Sequence, residues 1–271
     1  MNNKRGSGSS LPPVGEMEGV FFKVCGMRDA ENIRAVEALG IQWMGFIFWP
    51  GSKRFVSERP SYLPTKCKRV GVFVDADIAE VLQKVEEYAL DVIQLHGSES
   101  PEYISQLTSS LDLRSSSDAT RHSSNEFGSA LAAPSLTHSL TSSLTHSVTS
   151  SLPHSFTLHP SPSIIKAFNI ATPADLEQTH AYENIVDYFL FDTKGKSVGG
   201  NGEQFDWRVL DHYHGPTPYL LSGGIGPDDV HRVRAFSHPS LAGIDLNSRF
   251  ETSPGVKDIE SLHSFLTQFT H

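Results

Sequence analysis

Phe21-Phe22-Lys23-Val24-Cys25-Gly26-Met27 is a run with strand character that stops at a cysteine followed by glycine. Alternate side chains of a strand share a face, so Lys23 and Cys25 point one way while Phe22 and Val24 point the other. A thiol and an ammonium together at a strand end admit two readings. One is a packed structural cysteine, common for this residue type; the other is the edge of a reaction site. The choice depends on the architecture in which the run is embedded.

The same kind of unit recurs along the chain. Strand one, Phe21–Cys25, is followed by a helix that Asp29 can cap, with Ile33, Val36 and Leu39 on one side and Gly40 at its end. Strand two is expected over Trp43–Phe48, before the loop Trp49–Arg54. Strand three spans Arg69–Val74, with a helix over Ala76–Tyr88. Strand four, Asp91–Leu95, ends in His96-Gly97 and precedes a helix from Ser100 to about Leu107. After a break, strand five covers Ile164–Phe168, and Thr172-Pro173 opens a helix to about Tyr182. Strand six, Tyr188–Phe191, ends at Asp192, with a helix near Phe205–Leu210. Strand seven, Tyr219–Leu221, leads into Ser222-Gly223-Gly224 and a helix from Pro227 to about Ala235. Strand eight, Gly243–Leu246, leads into Asn247-Ser248 and a closing helix over Lys257–Phe269. Eight buried apolar strands alternating with eight helices predict an α/β fold, a single closed (β/α)8 TIM barrel. An open doubly wound sheet is the alternative, but no G-x-G-x-x-G follows strand one.

Three segments are expected by composition: a disordered leader over residues 1–18, a barrel over 19–271, and an insertion over 108–163 between the fourth helix and strand five. The insertion is rich in Ser, Thr, Leu, His and Pro. It carries an octapeptide repeat, Ser135–Ser142 and Ser143–Ser150, with a decayed copy over Ser151–Leu158. Unstructured loops longer than about 15 residues are uncommon inside compact domains, so this tract lies outside the barrel core. It enters before strand five, at the face opposite the strand ends where barrels bind ligands. Its regular His138, His146 and His154 suggest a metal site, yet their spacing in a flexible tract preorganises none. No metal is expected.

Charge and cysteine content narrow the function classes. Lys and Arg number 22 against 31 Asp and Glu, a net charge of −9. No basic stripe is available to meet nucleic-acid phosphates. No apolar run approaches the roughly 18 residues that span a bilayer, and the N-terminus lacks a signal-peptide core. Two distant cysteines, Cys25 and Cys67, make no disulfide framework. A cytoplasmic protein, monomer or homodimer, acting on a small molecule is expected. Cys67 precedes strand three on the face away from the predicted site.

In a TIM barrel the active site lies at the C-terminal ends of the strands. The polar residues at those ends are Cys25, Arg54, His96, Asp192, Ser222-Gly223-Gly224 and Asn247-Ser248. The loops after strands seven and eight are the usual phosphate site of the fold, and Gly223 and Gly224 let backbone N–H groups approach an anion. A phosphorylated small molecule is the expectation; the other reading is that Gly223-Gly224 merely turns the chain. Cys25 and Asp192 face one another across the mouth, where a thiolate and a carboxylic acid suit proton removal at one atom and donation at another. Lys23 on the same face favours the thiolate. Arg54 offers a planar fork for a substrate carboxylate or is a solvated loop cation. His96 is either a hydrogen-bonded residue of the mouth or a direct participant.

These residues resemble the phosphoribosylanthranilate isomerase family of tryptophan biosynthesis. The likeness runs through Lys23–Met27, Gly45–Phe48 with Ser52–Val56, Val70–Val74, Gln94–Gly97 and Lys166–Phe168. It continues through Phe191–Lys194, Gly199–Gly202 with Phe205–Trp207, Ser222–Gly224 and Pro254–Asp258. The resemblance implies an aldose–ketose isomerase catalysing an Amadori rearrangement, without metal or organic cofactor. N-(5'-phosphoribosyl)anthranilate becomes 1-(2-carboxyphenylamino)-1-deoxyribulose 5-phosphate. It further implies that Asp192 is the general acid and Cys25 the general base. Arg54 would meet the anthranilate carboxylate, and Ser222, Gly223, Gly224, Asn247 and Ser248 would hold the phosphate. Lys23 and His96 would line the same site, and the Gly199–Gly202 loop could close over it. The chain departs from the commoner family pattern at Arg249-Phe250, where Gly-Val is usual, which puts the phosphate contacts in question. Two other readings compete. One is another phosphate-binding TIM-barrel isomerase or lyase. The other is a non-catalytic scaffold working through the Ser/Thr-rich insertion.

Overall fold

The structure, a computed structural model, describes residues 19–123, 161–193 and 206–269. The leader, the histidine repeat and the Gly199–Gly202 loop therefore lie outside the described residues. The chain divides into two units: residues 1–107 with 162–271, and residues 108–161.

Eight strands close into a barrel in the order β1 to β8. They are β1 (Phe21–Val24), β2 (Trp43–Ile47), β3 (Lys68–Phe73), β4 (Val92–Leu95), β5 (Ser163–Ile170), β6 (Tyr188–Thr193), β7 (Tyr219–Leu221) and β8 (Leu241–Leu246). Every neighbouring pair is parallel, and β1 pairs with β8 to complete the ring. All eight predicted strands are present, and no open sheet edge remains to support the doubly wound alternative.

The helices match the expectation less well. Those found are α1 (Ala30–Ala38), α2 (Ile78–Tyr88), α3 (Pro101–Ser123), α4 (Val230–Ala235) and α5 (Ile259–Leu266). Asp29 caps α1 as expected, accepting from the Asn32 N–H at 2.8 Å. The connections at Pro173–Tyr182 and Trp207–His212 are 3₁₀ helices. Between β2 and β3 there is no helix. Glu37 of α1 organises that link instead, accepting the backbone N–H groups of Thr65 at 2.5 Å and Lys66 at 2.6 Å and the Tyr62 hydroxyl. The helix after β4 runs beyond Leu107 to Ser123, because Ser and Thr lower helix propensity without forbidding it. The closing segment also begins differently: β9 (Glu251–Ser253) and β10 (Val256–Lys257) form a hairpin before α5. Among the described residues no helix is long and apolar enough to cross a membrane.

Period-two alternation sorts the barrel interior into layers. The lower layers are apolar: Trp43, Val70, Val92, Ile165, Leu190 and Leu220 form one cluster, with Phe21 and Tyr188 packed against it. Phe21 stacks on Trp43 at 4.2 Å between centroids, and Tyr188 meets Trp43 edge-on at 5.4 Å. Two residues further along the same strands the interior turns polar, with Lys23 above Phe21, Gln94 above Val92 and Asp192 above Leu190. The apolar cluster underlies this polar layer.

Cys67 precedes β3 at the opposite end of the strands from the mouth, and burial pushes its thiol up to about 12. The thiol is therefore protonated at neutral pH. Cys67→Ala is expected to leave turnover within about twofold of wild type, since surface and half-buried changes away from a site cost little. A steady-state assay of the variant checks this.

Candidate active site

Cys25 follows β1 and is 3% exposed, its N–H held by the Leu246 carbonyl at 2.9 Å. The chain then turns through Gly26, whose φ of +82° is the left-handed region that favours glycine. A Cβ on Gly45 of β2 would stand 2.7 Å from the Cys25 sulfur, so the absence of a side chain there makes room for the thiol.

Lys23 is fully buried and donates to Asp245 Oδ1 of β8 at 2.8 Å. The other Asp245 oxygen accepts the Ser222 hydroxyl at 3.3 Å. Burial opposes charge on Lys23, but Asp245 and Cys25 together hold its ammonium above the ordinary value. For Cys25 the balance runs the other way. Burial raises the thiol and Asp245 adds to it, outweighing Lys23 and Lys257, which favour the thiolate. Lys23 thus acts in the expected direction without prevailing. The resting thiol is protonated at neutral pH.

Asp192, at the end of β6, is 8% exposed. Its Oδ2 lies 3.6 Å from Nε2 of His96, which follows β4. Burial, then the charges of Lys166 and Lys23, lower His96 to about 4, so its ring is neutral at physiological pH. Gln94 Nε2 stands 3.2 Å from His96 Nδ1. Nε2 is buried with no hydrogen-bond partner of its own. Neutral His96 therefore keeps an unpartnered ring nitrogen beside Asp192. Below the rim, Lys166 of β5 pairs with Glu99 at 3.2 Å and donates to the Gly97 carbonyl at 2.7 Å, which fixes the loop carrying His96.

Arg54 is neither free nor solvated. Its Nε and Nη2 grip Glu251 of β9, Nε to Oε1 at 2.8 Å and Nη2 to Oε2 at 2.7 Å. Nη1 has no partner among the described residues, so the outer edge of the fork remains for a second carboxylate. Lys257 of β10, 2% exposed, donates to Glu251 Oε1 at 2.6 Å and to Asn247 Oδ1 at 2.8 Å. Although burial opposes it, Arg54 and Lys257 hold the Glu251 carboxyl below the usual range.

Gly223 and Gly224 adopt φ of +93° and +66°, consecutive left-handed residues that only glycine takes without strain. Asn247 precedes a 3₁₀ turn over Ser248–Phe250. The Arg249 side chain lies over Gly226, with its Cβ and Nε 3.1 Å from where a Cβ on that glycine would be. Arg249 therefore packs on the loop after β7. Gly226 N–H is already taken by Asp229 Oδ2 at 2.8 Å.

The strand ends thus bring Lys23, Cys25, His96, Asp192, Ser222 and the two glycines to one mouth, with Arg54 and Asn247 on its rim. Sequence reasoning assigned no role to Asp245, Gln94, Glu251 or Lys257. Asp245 is signalled only as a carboxylate inside an apolar strand, Gly243-Ile244-Asp245-Leu246. Glu251 and Lys257 became legible only once the β9–β10 hairpin joined them.

The family model described as N-(5'phosphoribosyl)anthranilate (PRA) isomerase matches residues 22–138 and 153–268. A protein of Parabacteroides distasonis named N-(5'-phosphoribosyl)anthranilate isomerase is 42% identical over 258 residues, 93% of this chain and 94% of that protein. One of the same name from Phocaeicola vulgatus is 39% identical over 249 residues, 92% of this chain and 97% of its own. The crystal structure of phosphoribosyl anthranilate isomerase from Thermus thermophilus superposes with a TM-score of 0.63 at 25% identity, covering 92% of this chain and 98% of that one.

Proposed function

Since the chain belongs to the N-(5'-phosphoribosyl)anthranilate isomerase family, we propose that its barrel mouth divides the Amadori rearrangement between Cys25 and Asp192. The chain is an isomerase of tryptophan biosynthesis that converts N-(5'-phosphoribosyl)anthranilate to 1-(2-carboxyphenylamino)-1-deoxyribulose 5-phosphate. Asp192 gives its proton to the ribose ring oxygen as the C1–O bond breaks, leaving an iminium at C1. Cys25 thiolate removes the proton from C2, and the electron pair moves to neutralise the iminium as an enolamine. Tautomerisation places a proton on C1 and leaves a ketone at C2. C1 is reduced and C2 oxidised within one molecule, so the step balances without an external electron carrier.

The observation that carries this reading is a buried thiol directly after β1 and a buried carboxyl near the end of β6, both at the C-terminal ends of barrel strands. Lys23 beside Cys25 stabilises the thiolate as it forms. His96, neutral, offers a hydrogen bond to Asp192 or to a ribose hydroxyl. Arg54 receives the anthranilate carboxylate on its outer edge. The phosphate is received by the backbone of Gly223 and Gly224 and by the turn at Asn247-Ser248, with Arg249 adding charge. Ser222 contributes through Asp245, which its hydroxyl already engages. Two free thiols with no disulfide between them suit the cytoplasm.

The direct test follows the fluorescence of N-(5'-phosphoribosyl)anthranilate with purified protein. Loss of signal with stoichiometric ketone formation is expected. A stable, folded protein that leaves the signal no faster than buffer overturns the reading.

A further inference from the structure

Lys257 and Glu251 lie outside the proton-transfer pair, yet they join the two ends of the site. Glu251 holds the Nε–Nη2 edge of Arg54, and its Oε1 also accepts the Gly255 N–H at 3.2 Å. Lys257 Nζ bonds the same Oε1 at 2.6 Å and reaches Asn247 at both Oδ1, 2.8 Å, and the carbonyl, 3.2 Å. The backbone of Lys257 is pinned in turn. Its N–H donates to Asn32 Oδ1 at 2.7 Å, and its carbonyl accepts Asn32 Nδ2 at 2.9 Å. Asn32 belongs to α1, whose N-terminus follows the loop carrying Cys25. Arg54 and Asn247 also approach one another over Gly26. A Cβ there would stand 2.6 Å from Arg54 Cδ and 2.9 Å from Asn247 Oδ1. The group proposed to read the carboxylate and the loop proposed to hold the phosphate are thus linked by one buried strut beside the thiol.

We propose that Lys257 and Glu251 are positioning residues that fix the distance between the anthranilate-carboxylate and phosphate ends of the site. This rests on the assignment of Arg54 and the Asn247 loop made above. A long buried side chain with three hydrogen bonds loses its freedom on folding rather than on binding, so the two subsites meet a spanning ligand without reorganisation. The strut matters only to a ligand that touches both ends. A ligand touching one end has no use for the spacing.

That difference supplies the test. In Lys257→Met, KM for N-(5'-phosphoribosyl)anthranilate is expected to rise at least tenfold. The competitive inhibition constants of anthranilate alone and of inorganic phosphate alone should each change less than threefold. Circular dichroism establishes that the variant is folded. Where it does not fold, Glu251→Gln, which keeps side-chain volume, takes its place. There the KM is again expected to rise tenfold, with phosphate inhibition held within threefold. Parallel weakening of the half-ligands and the substrate, or an unchanged KM, overturns the proposal. Arg54→Ala serves as control for the underlying assignment. If it leaves anthranilate inhibition unchanged, the carboxylate reading fails independently of the strut.

Discussion

Replacing Cys25 by alanine is expected to lower kcat by about 10²–10⁴-fold, the usual contribution of a positioned proton-transfer group, while KM and folding change little. The thiol's side-chain hydrogen bond is to Lys23, which keeps Asp245 in the variant, and the backbone N–H at position 25 remains on Leu246. The deletion removes one sulfur packed against Gly45, a small cavity beside a chain that has no Cβ to collapse into it. Stability therefore falls modestly, by about 1 kcal/mol, and turnover by far more.

The pH profile separates a base from a packing residue. The pair must hold one proton on Asp192 and none on Cys25 when substrate arrives. Carboxyls ordinarily titrate well below thiols, and burial pushes Cys25 higher still. The reactive form is then a minor tautomer of the singly protonated pair, and its fraction is constant between the two macroscopic values. In wild type, kcat/KM is expected to be flat across neutral pH. It falls only on the alkaline side, above the ordinary thiol range of about 8.5. Cys25→Ala abolishes that alkaline limb. A residual rate that still falls along the wild-type alkaline curve would assign the limb elsewhere and remove Cys25 as the base.

Asp192→Asn is the second large effect. The amide is nearly isosteric, can still meet His96, and cannot donate the proton that opens the ribose ring. A kcat loss of about 10²–10⁴-fold is expected, with KM within a few-fold because no substrate charge is contacted by this side chain. With the acid gone, kcat/KM should rise rather than fall as pH climbs into the thiol range, because only the Cys25 thiolate is then required. Residual turnover above a tenth of wild type sinks the assignment. The two variants are not expected to add: either alone stops the sequence of ring opening and C2 deprotonation, so the double variant should be little slower than the worse single one.

The strand skeleton was legible in the chain because period-two runs of buried apolar residues, each ended by a turn or glycine, have few other ways to fold. The helices were less so. The link between β2 and β3 is organised by Glu37 through contacts with residues 25 to 29 positions away, which no local pattern encodes. The run after β4 stays helical past Thr108 where Ser and Thr suggested a break. The proposed catalytic pair and the glycines of the proposed phosphate loop could be named from the sequence, since each stands where an apolar strand ends.

By itself, then, the sequence determined the barrel, its open end and the residues that crowd it, because strand alternation and strand termini are local properties. The tertiary structure alone decided how those residues are paired. Lys23 meets Asp245 across 222 positions, and Arg54 meets Glu251 across 197. These partnerships turned a predicted activated thiolate into a resting thiol, and a solvated or waiting arginine into a clamped one. The reason is physical: burial and the partner's charge set the state of an ionisable group, and both come from segments remote in the chain.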